Sequence, residues 1–369
     1  MLNVSIYQRR LYEIRQVLQS IGADFAVLTP SPGYQYLTGS AYQMQERLVA
    51  LIITPDDEPS IIAPAFEVSD HENTTWIKHF IPWAEDEDPY KILASHFGEK
   101  RDSSFALFDA KMPVGVYWSI EKAVGGFRKV ESLSPYMDSM RLVKSSEEIM
   151  FMKQAGHIID EAVTKAFASA YVGVTESELV QVVRTEIARL GGSQTFATVQ
   201  FGEKSALPHA ESGSEKLRSG DIVLMDCGCS AAGYNTDMTR AGVVGEASAE
   251  QEKVYSTVLL ALESAVDMIK PGMTCGTADG VARRIIEEAG YGDYFTHRLG
   301  HGIGLEVHEP PFIVRGNAMQ LKPGMTHSIE PGIYMEGKFG IRIEDLAAVS
   351  QEGLDILTFT PRDLFVIDE

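Results

Sequence analysis

Apolar residues in the first third of the chain recur at helical spacing and then at strand spacing. Val4, Leu11, Ile14, Leu18 and Ile21 fall along one helix face that Gly22 closes, and Phe25-Ala-Val-Leu28 opens a strand. Residues 47–54, 60–63 and 105–109 read as further short strands, divided by turns containing Pro, Asp and Gly. The pattern predicts an α/β domain. It gives way to polar and turn residues over 132–140, ahead of Arg141-Leu-Val-Lys-Ser-Ser-Glu-Glu148, a charged entry to a long helix carrying Ile149, Met152, Ile159 and Ala162. We expect domains at 1–137 and 138–369.

The later two thirds contain an echo. Gly173-Val-Thr175 opens a helix that ends near Ile187 and Gly191, and Gly272-Met-Thr274 does the same with Ile286 and Gly290. Each offset is 99 residues (272 − 173, 286 − 187, 290 − 191), and His308 follows His209 by the same interval. Two helix pairs, each followed by strands, suggest a duplicated half-domain within an α+β unit; accidental matching of common helix-start signals is the alternative.

Composition narrows the function classes. With 32 basic and 52 acidic side chains the formal charge is −20, which argues against nucleic acid or an anionic membrane as partner. No basic and apolar leader is visible at the start, and the apolar run 48–53 is far short of the roughly 20 residues of a membrane span. Three cysteines cannot build a disulfide framework, and the odd count fits a reducing, cytoplasmic compartment. Cys227-Gly-Cys229 lacks the further Cys or His ligands of a zinc site, so small buried strand residues are the better reading.

Two hairpins present carboxylates. Strands 221–229 and 234–240 flank Ser230-Ala-Ala-Gly233; if Cys229 faces Tyr234, then Asp226 faces Asp237, with Cβ atoms about 5 Å apart. Alternation sends Cys227 and Cys229 to the other face. Residues 327–334 and 339–344 are joined through Glu336-Gly-Lys338, and centring that turn on Gly337 sets Glu330 opposite Glu344. Opposed carboxylates destabilise a sheet unless a proton or cation compensates. The alternative is that they are solvated edge residues in hairpins of a different register.

The segment His297-Arg-Leu-Gly-His-Gly-Ile-Gly-Leu-Glu-Val-His308 lies between the hairpins and sets histidines beside Gly300, Gly302 and Gly304, which permit backbone conformations and close approaches that bulkier residues block. One imidazole with four carboxylates suits manganese, cobalt, zinc or iron, and magnesium less well.

At these residues the sequence resembles the metallopeptidase superfamily of methionine aminopeptidases, Xaa-Pro aminopeptidases and prolidases, whose catalytic domain is the duplicated pita-bread fold. The motifs are the Asp226/Asp237 hairpin, Gly-His301-Gly-Ile-Gly, Ile-Glu330-Pro-Gly-Ile-Tyr and Arg-Ile-Glu344-Asp. The first third resembles the creatinase-like domain of the proline-specific branch, through Tyr36-Leu-Thr-Gly39 and the junction 141–148. The resemblance implies a dinuclear centre, manganese foremost, in which Asp226 binds one metal, His301 and Glu330 the other, and Asp237 and Glu344 bridge. Two ions about 3.5 to 4 Å apart share a water and make it a hydroxide near neutral pH. Glu330 then shuttles its proton to the departing amine, His308 bonds the oxyanion with His297 assisting, His209 lines the substrate pocket, and Arg342 orients Glu344 and relays protons.

A homodimer is also implied, as are short proline-containing peptides as substrates. Prolidases of this family can hold a dipeptide's carboxylate with an arginine shortly after the Val-His-Glu segment; here Phe312 stands at that position, with Arg315 as a substitute. The choice between Xaa-Pro dipeptidase and Xaa-Pro aminopeptidase therefore stays open. The alternatives are a creatinase-like C–N hydrolase and a catalytically inactive binding module on the same fold; the intact ligand set counts against both.

Overall fold

In a computed structural model that describes residues 2–97, 103–208 and 210–369, the chain divides into two compact units, Met1–Arg141 and Leu142–Glu369. The first runs α1 (Val4–Ile21), β1 (Phe25–Leu28), α2 (Pro32–Thr38), β2 (Ala50–Ile53), β3 (Ser60–Pro64), α3 (Val68–Thr74), β4 (His79–Trp83), α4 (Pro89–His96), β5 (Phe105–Phe108), α5 (Val114–Val124), β6 (Lys129–Ser132) and α6 (Ser134–Arg141). Asn3 caps the start of α1, and Gly22 ends it in the left-handed region at φ 70°. The strands form one mixed sheet in the order β4-β3-β2-β1-β5-β6. Its middle strands, β1, β2 and β5, are fully apolar and buried, whereas the edge strand β6 is exposed and the edge strand β4 is only partly covered. Neither edge reads as a strand from sequence: β4 has Pro82 inside it, and β6 has a single apolar residue, Val130. Val4, expected on the inward helix face, is exposed; Ile6, Tyr7 and Arg10 are buried there instead.

The second unit begins with α7 (Ser146–Phe167), α8 (Glu176–Arg189), β7 (Ser193–Phe201), β8 (Ile222–Ala231) and β9 (Tyr234–Val244), followed by α9 (Ala249–Met268) and α10 (Cys275–Glu288). Seven short strands and one closing strand complete it: β10 (Gly300–Gly302), β11 (Glu309–Ile313), β12 (Thr326–Ile329), β13 (Gly332–Met335), β14 (Phe339–Arg342), β15 (Asp345–Val349), β16 (Leu354–Ile356) and β17 (Phe365–Ile367). They make sheets of order β17-β9-β8-β7 and β11-β10-β12-β15-β16, with β13 and β14 as a separate ribbon.

The helices start where the sequence signals them. Ser145, Thr175 and Ser248 close capping boxes with Glu148, Glu178 and Gln251, and Thr274 caps α10. The echo is a structural one: Gly173 and Gly272 both have positive φ before a threonine cap, and Gly191 and Gly290 both have positive φ after the helix. One core packs α7 and α8 on β8, and encloses both Cys227 and Cys229 on the strand face turned away from Asp226. A second packs α9 and α10 on the opposite face of β8 and β9 and on the strands of the later sheet and ribbon.

Two registers differ in detail from expectation. The β8–β9 turn is only Ala232-Gly233, both at positive φ as a two-residue hairpin of this twist requires, so pairing runs on to Ala231 and Tyr234. Asp226 therefore faces Thr239, and Asp237 faces Gly228: the aspartates are diagonal rather than directly opposite. A slip of two residues keeps both on one face, which is why the functional reading survives it. The other hairpin is centred on Gly337 as expected, with Gly332 opposite Arg342, but neither arm is one continuous strand. Each breaks, at Glu330-Pro331 and at Ile343-Glu344, and beyond the breaks Ile329 pairs Asp345 in the other sheet. Glu330 and Glu344 thus stand in the gap between two sheets.

Helical glycines test the packing. A Cβ on Gly156 in α7 would lie 2.0 Å from the Leu357 carbonyl oxygen, whereas one on Gly280 in α10 meets nothing within 4 Å. Gly156→Ala is expected to lower unfolding stability in urea by about 1–3 kcal/mol, and Gly280→Ala to raise it by about 0.5–1 kcal/mol. Equal effects would contradict this packing.

Candidate metal centre and active site

Main-chain bonds from the strand breaks bring the carboxylates together. Glu344 N–H donates to the Thr239 carbonyl at 3.0 Å, seating Glu344 beside β9, and Glu330 N–H donates to Leu299 at 2.8 Å, seating it beside β10. Buried Arg240 ties the Glu344 and Thr239 carbonyls together and pairs with Asp345. The glycines of the histidine loop act through space rather than through φ. A Cβ on Gly300 would come within 2.0 Å of the Ser328 carbonyl oxygen, and one on Gly302 within 2.3 Å of Pro310 backbone. Only bare backbone lets β10 lie close enough for His301 to reach Glu330.

Asp226, Asp237, His301, Glu330 and Glu344 all line one cavity of about 850 Å³, together with His297, His308 and Arg342. Donor atoms within 4.8 Å of one another form three triads: Asp226, Asp237 and Glu344; His301, Glu330 and Glu344; and Asp237, His301 and His308. His301 Nε2 stands 3.3 Å from Glu330 Oε1 and 3.6 Å from Asp237 Oδ2. Its Nδ1 bonds the Gly302 carbonyl at 3.1 Å, and because a carbonyl only accepts, that nitrogen carries the proton. Nε2 therefore presents its lone pair to the carboxylates.

Electrostatics show what the cluster lacks. Burial, then the neighbouring carboxylates, push Asp237 and Glu344 well above the usual range, and burial pushes Glu330 up to about 7. Burial, reinforced by His308, pulls His301 down to about 3, so the imidazole is neutral and cannot neutralise its neighbours. Asp237 Oδ1 and Glu344 Oε1 are buried and find no hydrogen-bond partner among the described residues. Orphaned carboxylate oxygens beside an unprotonated imidazole are the donor set of divalent metal ions, and the two triads that share Glu344 fit a pair of them.

Arg342 pairs with Asp226, donates through Nε to Thr239 Oγ1 at 2.9 Å and through NH1 to Tyr334 OH at 2.8 Å, and lies 4.0 Å from Glu344 Oε2. Thr239 Oγ1 in turn donates to Glu344 Oε2 at 2.7 Å, and Ser328 Oγ donates to Glu330 Oε1 at 3.0 Å. His297 is committed on both sides: Nδ1 donates to the Arg298 carbonyl at 2.7 Å, and Nε2 accepts from Tyr334 OH at 2.9 Å. It has no ring N–H left to offer an oxyanion, unlike the expectation for it. His308 is exposed at the cavity, its ring centroid 4.1 Å from that of His301. His209 lies outside the described residues; Pro208 and Ala210 on either side of it line the cavity.

The sequence reading passed over Thr239, Ser328, Tyr334 and Arg298. Thr239 was findable, two residues from Asp237 and so on its face; Ser328 likewise precedes Glu330 by two. Tyr334 closes the Glu-Pro-Gly-Ile-Tyr phrase. Arg298 lines the cavity with its guanidinium 4.6 Å from the centroid of the Phe312 ring. Arg315, expected as a substitute carboxylate holder, instead pairs on the surface with Glu287 at 2.7 Å.

Comparison with known proteins agrees with this geometry. Residues 150–351 match the family described as Metallopeptidase family M24, and residues 10–143 match the Creatinase/Prolidase N-terminal domain. An Xaa-Pro dipeptidase of Lactobacillus helveticus is 34% identical over 97% of this chain and 98% of its own. A prolidase of Thermococcus sibiricus superposes with a TM-score of 0.92 at 34% identity, covering 98% of this chain and 99% of its own. An X-Pro aminopeptidase of Thermotoga maritima does so at 0.86 and 30% identity, covering 97% and 99%.

The shifted carboxylates predict a pH-dependent stability. Between about pH 4 and 6.5, histidines held neutral in the fold oppose them. Above 6.5 the unfolded chain has lost its histidine protons, while the folded chain still holds a proton on Glu330 through about pH 7, and Asp237 and Glu344 are shifted in the same direction. The metal-free protein should therefore lose stability as pH rises from 6.5 to 8, read as a falling melting temperature, and a divalent ion should abolish the fall. A flat or rising profile would contradict it.

Proposed function

The chain belongs to metallopeptidase family M24 and is a metal-dependent peptidase, and from that premise we propose that it hydrolyses the Xaa-Pro bond of dipeptides. The observation that carries this reading is a single cavity in which four carboxylates and a neutral imidazole meet beside the arginine Arg298. Asp226 would hold one ion, His301 and Glu330 the other, and Asp237 and Glu344 would serve both; the sharing of Glu344 between two triads supports this assignment. Manganese is the proposed metal, and cobalt, zinc or iron suit the same donors. When bound, the two ions polarise the scissile carbonyl and lower the pKa of the attacking water.

Glu330 carries the proton. Ser328 holds Oε1, which leaves Oε2 to take a proton from water and yield it to the proline nitrogen. His308 donates to the developing oxyanion. His297 acts through Tyr334, which it fixes against Arg342, and Arg342 holds Asp226 and, through Thr239, Glu344. A substrate-binding role for His209 is part of the proposal; of its surroundings, Pro208 and Ala210 line the cavity.

Proline offers no amide N–H after the scissile bond, so its subsite needs shape and apolar walls, which Phe196, Pro208 and Val307 provide. The free carboxylate of a dipeptide needs a cation. Arg298, steadied on Phe312, supplies it from the cavity wall and favours the dipeptidase over the aminopeptidase. The creatinase-like and inactive alternatives are not favoured, since every ligand is present. A homodimer and a cytoplasmic location complete the proposal; three free, buried cysteines fit a reducing compartment.

The test incubates metal-stripped protein with manganese or cobalt and follows Ala-Pro, Ala-Pro-Ala and Met-Ala-Ala together. Metal-dependent cleavage of Ala-Pro is expected, lost in Asp237→Ala and with KM raised about tenfold in Arg298→Ala. Preference for Ala-Pro-Ala would replace dipeptidase by aminopeptidase, and cleavage of Met-Ala-Ala alone would overturn the proline assignment.

A further inference from the structure

Lys144 Nζ lies 2.7 Å from Glu309 Oε1, with the two side chains only 2% and 4% exposed. A buried ion pair is poor evidence for stability, because desolvating both charges offsets most of their attraction. Its place in the chain suggests another use. Lys144 stands three residues beyond Arg141, where the chain leaves the first unit, and its own N–H is fixed to the Gly324 carbonyl at 2.8 Å. Glu309 follows His308 and begins β11, opposite Gly302, at the point where the β10–β11 register shifts directly after His301.

The second oxygen of Glu309 closes the loop between those strands. Oε2 accepts from Glu306 N–H at 3.3 Å, and the Glu306 carbonyl accepts from Gly304 N–H at 3.0 Å. The Gly304 carbonyl in turn accepts from the main chain and side chain of Asn235, two residues from Asp237. Gly304 makes room for all this: a Cβ there would lie 2.7 Å from Glu309 Oε1 and 2.9 Å from Lys144 Cε. The third glycine of the Gly-His-Gly-Ile-Gly phrase is thus matched to the ion pair beneath it.

We propose that Lys144 and Glu309 are positioning residues, whose buried ion pair holds the 302–309 loop so that His308 stands at the cavity beside His301. The inference rests on the role given to His308 above. Neither residue touches the substrate; Lys144 anchors the Glu309 carboxylate, and that carboxylate fixes the turn that carries His308. Without the pair, the loop keeps its ends in β10 and β11 and loses its middle.

The test replaces both charges at once, Lys144→Met with Glu309→Leu, since an apolar pair of similar volume is expected to keep the fold. Expected are a melting temperature near that of the unaltered protein, unchanged metal content, amide exchange over residues 303–308 faster by about tenfold or more in the metal-free protein, and kcat on Ala-Pro lower by about ten- to a hundredfold at similar KM. Lys144→Arg, which keeps the pair, should retain most activity. Unchanged exchange and unchanged kcat in a folded double variant would overturn the proposal. If the double variant does not fold, Glu309→Asp, which keeps the charge and shortens its reach, must show the same faster exchange and lower kcat; values of the unaltered protein there overturn it. Because exchange is read without substrate, a failure of the Xaa-Pro assignment would leave that arm decisive.

Discussion

Four carboxylates in one buried cavity repel one another, and the arrangement of the second unit follows from that constraint. At the 4.8 Å that bounds the donor triads, each ionised pair costs about 3 kcal/mol at an effective dielectric of 20. Arg342 offsets part of this from the Asp226 side, and Thr239 and Ser328 each satisfy one oxygen. Asp237 Oδ1 and Glu344 Oε1 remain without a partner among the described residues. Protons or divalent ions must supply the rest.

The fold assembles this cluster by interrupting regular structure at chosen points. Both arms of the hairpin centred on Gly337 break, at Glu330 and at Glu344, and each break lets a main-chain N–H reach a different strand. Gly300 and Gly302 have no side chains because backbone oxygens occupy that space, which puts His301 Nε2 within reach of Glu330 and Asp237. Behind the carboxylates, Arg240, only 1% exposed, joins the Glu344 carbonyl to Asp345 and the Thr360 carbonyl. The four carboxylates and the imidazole are therefore set by packed, hydrogen-bonded backbone, as a preorganised centre requires.

Much of this is legible in the amino-acid sequence. Alternation alone put Asp226 and Asp237 on one face and Cys227 and Cys229 on the other, and an error of two in the register left both statements intact. What alternation could not show was where a strand stops: Glu330 precedes Pro331, a residue without an N–H for a ladder, yet the apolar pattern runs straight through it. The edge strands β4 and β6 are hidden because Pro82 interrupts the first and the second has only one apolar residue. The environment of His297 was hidden for another reason. Its partner Tyr334 is 37 residues away, and a sequence shows that a histidine is present without showing that both its nitrogens are taken. Arg298 was hidden in the same way, because its place against Phe312 depends on how β10 and β11 pair.

The central claim is that this cavity takes two divalent ions. Titration of the metal-stripped chain with manganese under equilibrium dialysis tests it most directly, with Glu344→Gln alongside. The account predicts two ions per chain, and a loss of affinity for both in the variant, because Glu344 belongs to both triads. A chain that binds no ion, or a variant that keeps both at full affinity, would contradict it.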